Sequence, residues 1–410
     1  MKTQDSRSLI LKTCLMAVLS LLLLIPLQMV KEQVRERRSY RNDCINEIED
    51  SWAGWQEFSG PKISYITTEY TKDEKGMPEK VVKENFLYPE ELKIDANVET
   101  QNLHRAIYDV TVYNSELKVD GNFIVPEAMK GLKDALVQLS ISDLRGVEGK
   151  AEIRFGDKTY PFVASGTTSV IETFVAVPAA VGSQIPFSMT LNIKGSSSLK
   201  FKPVGEITEV SISSNCASPS FTGEFLPGKR DVREDGFTAS WSISEINRGA
   251  PESKTFGVKL LSGVDQYQQT ERCMKYGILI ILLVFLAGFI VELVTRKDIN
   301  IIQYLVIGLS LVLFYALLLS FSEFMDFGLS YLIAAAMTVL ALTGYFRGIL
   351  KSKAAYLLGL FTAIAYAVCY VLLQMETYAL LTGTLLLFVC LVVVMYLTRN
   401  LRFVKSETKQ

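Results

Sequence analysis

Residues 276–295 read YGILIILLVFLAGFIVELVT, and this stretch decides the architecture. An α-helix rises about 1.5 Å per residue, so about 20 apolar residues cross a hydrocarbon layer about 30 Å thick. The run has that length, carries one charged side chain, Glu292, and has no polar stripe to face water. It reads as a membrane span. Equivalent stretches follow at 301–321, 328–346, 354–373 and 378–397, and one precedes at 9–30, LILKTCLMAVLSLLLLIPLQMV. The expected fold is therefore a bundle of six transmembrane helices. Between the first and second lies residues 31–275, polar enough for a water-soluble domain. The first span leads into LQMVKEQVRERR without a small-residue cleavage site, so 9–30 reads as an uncleaved signal anchor rather than a removed leader.

Orientation follows from Lys and Arg in the short connections. Lys2 and Arg7 in the 1–8 terminus precede the first span, and Lys12 stands in its first turn. Arg296 and Lys297 follow the second, Arg347, Lys351 and Lys353 the fourth, and Arg399, Arg402, Lys405 and Lys409 stand in the 398–410 tail. The alternate connections, 322–327 and 374–377, contain neither residue type. Both termini are expected in the cytoplasm, with 31–275 outside it. Lys31, Arg35, Arg37, Arg38 and Arg41 oppose this assignment, because they follow the first span directly. Lys12 and Glu292, near helix ends, are expected to reach the interface. Tyr304, Tyr315, Tyr366 and Tyr370 are expected to pack or sit at the interface rather than line a path.

The 31–275 segment opens with helical spacing, Val34, Ile45, Ile48, Trp52, which extends the first helix outward as an amphipathic helix to about Trp55. After Gly60-Pro61 the period shortens to two. KISYITTEYT and KVVKENFLY form a hairpin across KDEKGMPE. RAIYDVTVY and SELKVDGNFIV follow, split at Asn114, and KAEIRFGDKTYPFVA turns at Gly156-Asp157. Further strands are expected at 168–178, 186–194, 198–204, 206–214, 236–243 and 255–261, and a helix at 126–136, PEAMKGLKDAL. This predicts a large all-β, sandwich-like domain. So many strands could also make two packed subdomains.

Composition narrows the chemistry. Over 410 residues the net charge is −1, which offers nucleic acid no electrostatic footing, and the bilayer is the partner the spans require. The six cysteines have no CxxC spacing, and His104 is the single histidine, so the sequence offers neither a metal-ligand cluster nor a histidine-based triad. No cofactor motif is present. Cys14, Cys369 and Cys390 read as packing residues, and a disulfide among Cys44, Cys216 and Cys273 is left open. In SDLRGV, 142–147, Asp143 and Arg145 suggest an ion pair at a tight turn. In GFTASW, 236–241, Phe237, Ala239 and Trp241 alternate as a core face.

Two segments concentrate unusual residues. One, 218–232, reads as a turn or interface loop and holds Pro219, Phe221, Gly223, Glu224, Pro227 and Arg230. The other leads into the second span, with Asp265, Tyr267, Arg272 and Tyr276 suited to the headgroup region. These ten are the candidate residues for coupling the domain to the membrane bundle.

The segments ERRSYRNDC, YPEELKIDANV, SDLRGV, PSFTGEFLPGKRDVREDGFTASW, DQYQQTERCMKYGILI, QYLVIGLSLVLFYALLLSFSE and YLTRN, spread over nearly the whole chain, resemble the CreD family of inner-membrane proteins. The resemblance implies a multi-pass protein of a Gram-negative inner membrane with a periplasmic domain. It also implies a role in envelope integrity or stress tolerance, in enterobacteria alongside a two-component regulatory system. The family supplies no catalytic residues to carry over. The expected function is thus a non-enzymatic envelope protein whose β domain binds or senses an envelope protein or lipid. The alternatives are a transporter or lipid-handling protein, and, last, an enzyme at the membrane surface.

Overall fold

The computed structural model describes residues 6–72, 78–105, 107–178, 180–260 and 266–374, together with 384, 388, 392 and 395. The chain forms two compact units, Met1–Tyr40 with Asp265–Gln410, and Arg41–Val264.

The first unit is helical. Helix α1 (Ser6–Leu22) passes into α2 (Leu24–Ser51) through Leu23. The ladder continues across the junction, with Leu23 N donating to Leu19 O at 3.0 Å and Leu27 N to Leu23 O at 3.2 Å. The interruption falls where Pro26 has no N–H for the Leu22 carbonyl four residues earlier. Beyond the β domain's α3 (Glu245–Arg248) come α4 (Gln266–Lys275), α5 (Gly277–Thr295), α6 (Ile301–Ser322), α7 (Phe327–Leu350) and α8 (Ala354–Gln374). Among the described residues five helical stretches are long and apolar enough to cross a membrane. The expected sixth span, 378–397, lies outside the described residues.

Helix ends are set by local chemistry. Asn300 and Gln303 form a reciprocal cap on α6, and Asp326 accepts from Gly328 N at 2.9 Å on α7. The Lys297 ammonium donates to the Leu350 carbonyl at the α7 C-terminus, where the helix dipole is negative. Small residues let the helices close up: the bare Gly308 Cα faces the Leu23 side chain, and that of Gly359 faces Thr343. Leu282, Val294, Ile302, Leu313, Leu332, Leu340 and Leu360 stay exposed, as expected of faces turned to lipid.

The second unit is a two-sheet sandwich. One sheet runs β14 (Pro219–Gly223), β17 (Phe256–Leu260), β12 (Ser198–Phe201), β1 (Gln56–Lys72), β5 (Asp134–Ile141), β10 (Val170–Ala176), β9 (Val163–Ala164), with β2 (Pro78–Leu87) also paired to β1. The other runs β15 (Lys229–Arg233), β16 (Gly236–Ser244), β13 (Ile207–Ser214), β3 (Glu91–Arg105), β4 (Tyr108–Ile124), β11 (Gln184–Ser196), β7 (Glu152–Phe155), β8 (Lys158–Pro161), with β6 (Val147–Glu148) on β11. Most neighbours are antiparallel, but β1 pairs β12 and β3 pairs β13 in parallel.

One contiguous apolar core joins the sheets, drawing Phe58, Val137, Phe201 and Phe256 from the first and Ile94, Val119, Leu191 and Trp241 from the second. A single sandwich therefore replaces the alternative of two subdomains. The hairpin at 62–88 forms with Lys72 opposite Pro78, and Gly156 takes a positive φ of 60° between β7 and β8. Phe237, Ala239 and Trp241 point inward together.

Three local expectations are corrected. The helix at 126–136 is a single 3-10 turn, Glu127–Met129, after which Gly131 adopts φ 83° and β5 begins. Its apolar residues alternate on the sheet instead, with Ala135, Val137 and Leu139 buried. The break at Asn114 is absent: β4 runs straight through it, and Asn114 lies opposite Glu99 on one side and Lys194 on the other. Finally β3 has no counterpart among the expected strands. Leu92, Ile94, Ala96 and Val98 face the core, but the intervening Asp95 and Asn97 depress its strand propensity.

Candidate functional site

Helix α2 contributes to both units, and each of its ends is held by charge. On the helical unit, Arg35 and Arg38 approach the Glu271 carboxylate of α4 at 4.0 and 3.8 Å, and Arg37 approaches Glu323 at the end of α6 at 3.5 Å. The Tyr267 hydroxyl donates to the same Glu323 at 3.5 Å. Arg35, Arg37 and Arg38, three of the basic residues that oppose the charge rule in the sequence, thus have carboxylate partners.

On the β domain, the last turns of α2 present Glu47, Glu49 and Asp50. Arg105 pairs with Glu47 at 2.8 Å, and the Ser196 and Ser197 hydroxyls donate to Glu49 at 2.7 and 2.9 Å. Arg145 donates to the Asp50 carbonyl at 2.8 Å and grips Asp143 through Nε and Nη2. Asp143 also accepts from Gly54 N at 2.9 Å and from Arg145 N at 3.1 Å. The turn at 142–147 is therefore the clasp that holds the end of α2. Sequence reasoning finds the Asp143–Arg145 pair but misses Glu47, Glu49 and Asp50, because on a solvated helix face acidic residues look ordinary.

The Arg145 hydrogen bonds, helped by the two backbone N–H groups, hold the Asp143 carboxyl at about 2 against the opposing effect of burial. Because this folded-state value lies below the unfolded one of 3.8, its stabilisation is fully present above about pH 5 and lost as pH falls towards 2. Asp143→Asn is expected to lose about 1–2 kcal/mol at pH 7. In urea titrations of the detergent-solubilised chain, the gap between the two proteins should shrink at pH 3. A pH-independent gap would mean that the charge is not what the clasp uses.

The ten coupling candidates separate into two groups. In the sandwich, Pro219, Phe221 and Gly223 lie on β14 and Arg230 on exposed β15, so 218–232 is not a loop but a crossover between the two sheets. Glu224 and Thr255 exchange backbone and carboxylate hydrogen bonds at 2.9 and 2.8 Å. Gly223 takes φ 100° where a Cβ would strike the Thr255 carbonyl. Phe221 packs edge-on to Phe237 and Trp241, with Pro227 in the connection beyond, and the Trp241 indole donates to the Phe225 carbonyl at 3.1 Å. The special residues of this segment serve the crossover: a left-handed glycine, a proline in the link and aromatic rings closing the sandwich edge.

In the helical unit, Tyr267 and Arg272 lie on α4 and Tyr276 caps the start of α5; Asp265 lies outside the described residues. Tyr267 is buried and meets Glu323, while Arg272 and Tyr276 are partly exposed.

A second charged feature corrects the expectation that Lys12 and Glu292 reach the interface. Their side chains form an ion pair between α1 and α5, with Glu292 only 3% and Lys12 21% exposed. The other Glu292 oxygen accepts from the buried Tyr304 hydroxyl of α6 at 3.2 Å. Tyr304 fits because Gly288 has no side chain in its way. Deeper in the bundle Phe314 stacks with Tyr315, Tyr331 and Tyr366, ring centroids 4.9, 5.3 and 4.4 Å away, as packing residues. Cys44, Cys216, Cys273 and Cys369 are buried as free thiols. Among the described residues no group of three or more His, Cys, Asp or Glu could hold a metal ion.

An apolar helical unit interrupted between its first and second spans by a two-sheet β domain defines a multi-pass membrane protein with one large extramembrane domain. Its sequence is 33% identical to the inner membrane protein CreD of Escherichia coli K12, over 93% of this chain and 90% of that protein. The family model described as inner membrane protein CreD matches residues 8–404, and the chain belongs to the CreD family of inner-membrane proteins. Among solved structures, two of the M1 zinc metallopeptidase from Deinococcus radiodurans are similar at 11% and 12% identity, each over 42% of this chain and 42% of that one. Their TM-scores, 0.26 and 0.24, are too low to relate either fold or activity.

Proposed function

We propose that this protein is a non-enzymatic component of the inner membrane that supports cell envelope integrity or stress tolerance. In this reading six helices span the membrane, both termini are cytoplasmic, and the β domain binds or senses an envelope protein or lipid in the periplasm. The reading is supported by family membership and by Lys and Arg confined to alternate connections. The observation that carries it is the double anchoring of α2. Arg35 and Arg38 tie it to Glu271 of α4, and Glu47, Glu49 and Asp50 tie its far end to the sandwich. A helix held at both ends is suited to pass a domain event to the membrane.

The test is a deletion strain challenged with detergents and colicins, complemented by the full chain, by Glu271→Arg, and by the swap Glu271→Arg with Arg38→Glu. Exposed ion pairs are worth up to about 1 kcal/mol each, so Glu271→Arg should complement partially and the swap better. A deletion indistinguishable from wild type would remove the integrity role. Full complementation by Glu271→Arg would remove the coupling.

A second reading, lipid handling, draws on a groove of about 840 Å³ between α2 and α6. Met29, Val30, Val306, Leu309 and Leu313 give it an apolar floor, and Glu32 and Glu36 stand further along α2. It suits an acyl chain, and the Glu32 carboxylate at its rim is held by Arg35 at 3.1 Å. The aromatic packing around Phe314 speaks against an aqueous path at that level.

A further inference from the structure

Cys273 of α4 and Cys369 of α8 are distant in sequence, yet their thiols are neighbours where α4 packs on α8. They are 0% and 3% exposed. The Tyr331 hydroxyl, which donates to the Tyr366 carbonyl at 2.8 Å, also meets the Cys369 thiol. The hydroxyls of Tyr315 and Tyr366 are buried nearby and lack a hydrogen-bond partner. Two neighbouring thiols on separate helices are what a covalent cross-link requires. Cys273 lies just before α5, and Cys369 lies in the last two turns of α8.

We propose that Cys273 and Cys369 form a redox modification site, a dithiol that a disulfide-bearing oxidant of the periplasm converts to a disulfide joining α4 to α8. The compartment rests on the topology given under Proposed function, which puts both thiols near the oxidising side. The sulfur of one cysteine attacks the oxidant's disulfide, forming a mixed disulfide and releasing one oxidant thiol. The second cysteine sulfur then displaces the other oxidant sulfur and closes the Sγ–Sγ bond. Two electrons pass to the oxidant, and the two cysteine protons end on its two sulfurs. Because the pair is enclosed once α4 is seated, exchange takes place before α4 docks, and the closed bond is then shielded from reductants. The product fixes the start of α5 to α8.

The test uses the full chain in its native membrane, quenched in acid, denatured in SDS and labelled with a maleimide with and without prior reductant. Intact-protein mass then counts the adducts. The expected result is two fewer adducts without reductant in the wild type, and no such difference in Cys273→Ser or Cys369→Ser. If a serine variant fails to accumulate, a non-reducing digest of the wild type should yield one cross-linked species containing both cysteines. Equal labelling with and without reductant, or a difference that persists in Cys273→Ser, overturns the proposal. A reporter that fluoresces only in the cytoplasm, fused after Gln410, reads the topology separately. A fluorescent tail without the bond rejects the disulfide alone. A dark tail with the bond keeps the cross-link but rejects the periplasmic oxidant and the assumed topology. A dark tail without the bond rejects both.

Discussion

Replacing Glu292 with leucine is expected to destabilise the helical unit by about 3–5 kcal/mol, the usual consequence of removing one partner of a buried ion pair. The Lys12 ammonium, 21% exposed, loses its carboxylate. The buried Tyr304 hydroxyl loses its acceptor as well, and a buried polar group left unsatisfied costs about 1–3 kcal/mol. Combining Glu292→Leu with Lys12→Met should recover most of the loss, because an apolar pair of similar volume avoids desolvating either charge. The measurement is unfolding of the full chain in detergent by SDS titration, comparing both singles with the double. A neutral single variant, or a double that loses the sum of the two, would mean that the ion pair does not hold α1 to α5.

Truncating Phe256 to alanine should destabilise the sandwich by about 3–5 kcal/mol, because the ring fills space that neighbouring groups cannot collapse into. Phe256 is fully buried, with ring centroids of Trp241 at 5.5 Å and of Phe201 and Phe225 at 6.2 Å. It therefore touches both sheets and the crossover at once. Arg230→Ala, on the exposed edge strand β15, is expected to stay within about 0.5 kcal/mol. Limited proteolysis of the full chain across a urea series separates the two. If Arg230→Ala leaves stability intact yet abolishes complementation, a binding role for the crossover regains weight. If Phe256→Ala is neutral, the core assignment is wrong.

Long apolar runs were legible because a span needs only composition and length, both local properties. The β domain was legible to the extent that a period of two survives in the sequence, as in Phe237, Ala239, Trp241 and in 186–194. It failed at β3, where the alternation of Leu92, Ile94, Ala96 and Val98 is complete but Asp95 and Asn97 lower the strand propensity. It failed again where a helix-like composition, PEAMKGLKDAL, gives way to sheet burial at Ala135, Val137 and Leu139. The Asp143–Arg145 pair was readable because its partners are two residues apart. Glu49 with Ser196 was not, since nothing near either residue announces the other.

By itself the sequence determined that this chain spans a membrane several times, carries an inserted β-rich domain and belongs with the CreD family. The first two properties follow from side-chain hydrophobicity read one segment at a time, and the third from the resemblance of segments such as PSFTGEFLPGKRDVREDGFTASW. Only the tertiary structure decided which strands are neighbours, including the parallel pairs β1–β12 and β3–β13. It also showed that 218–232 is a sheet crossover rather than a loop, and that both ends of α2 carry ion pairs. Finally it brought Lys12 to Glu292 and Cys273 to Cys369. Each of these is a choice among distant partners, fixed by the summed packing of many residues, and no local period encodes it.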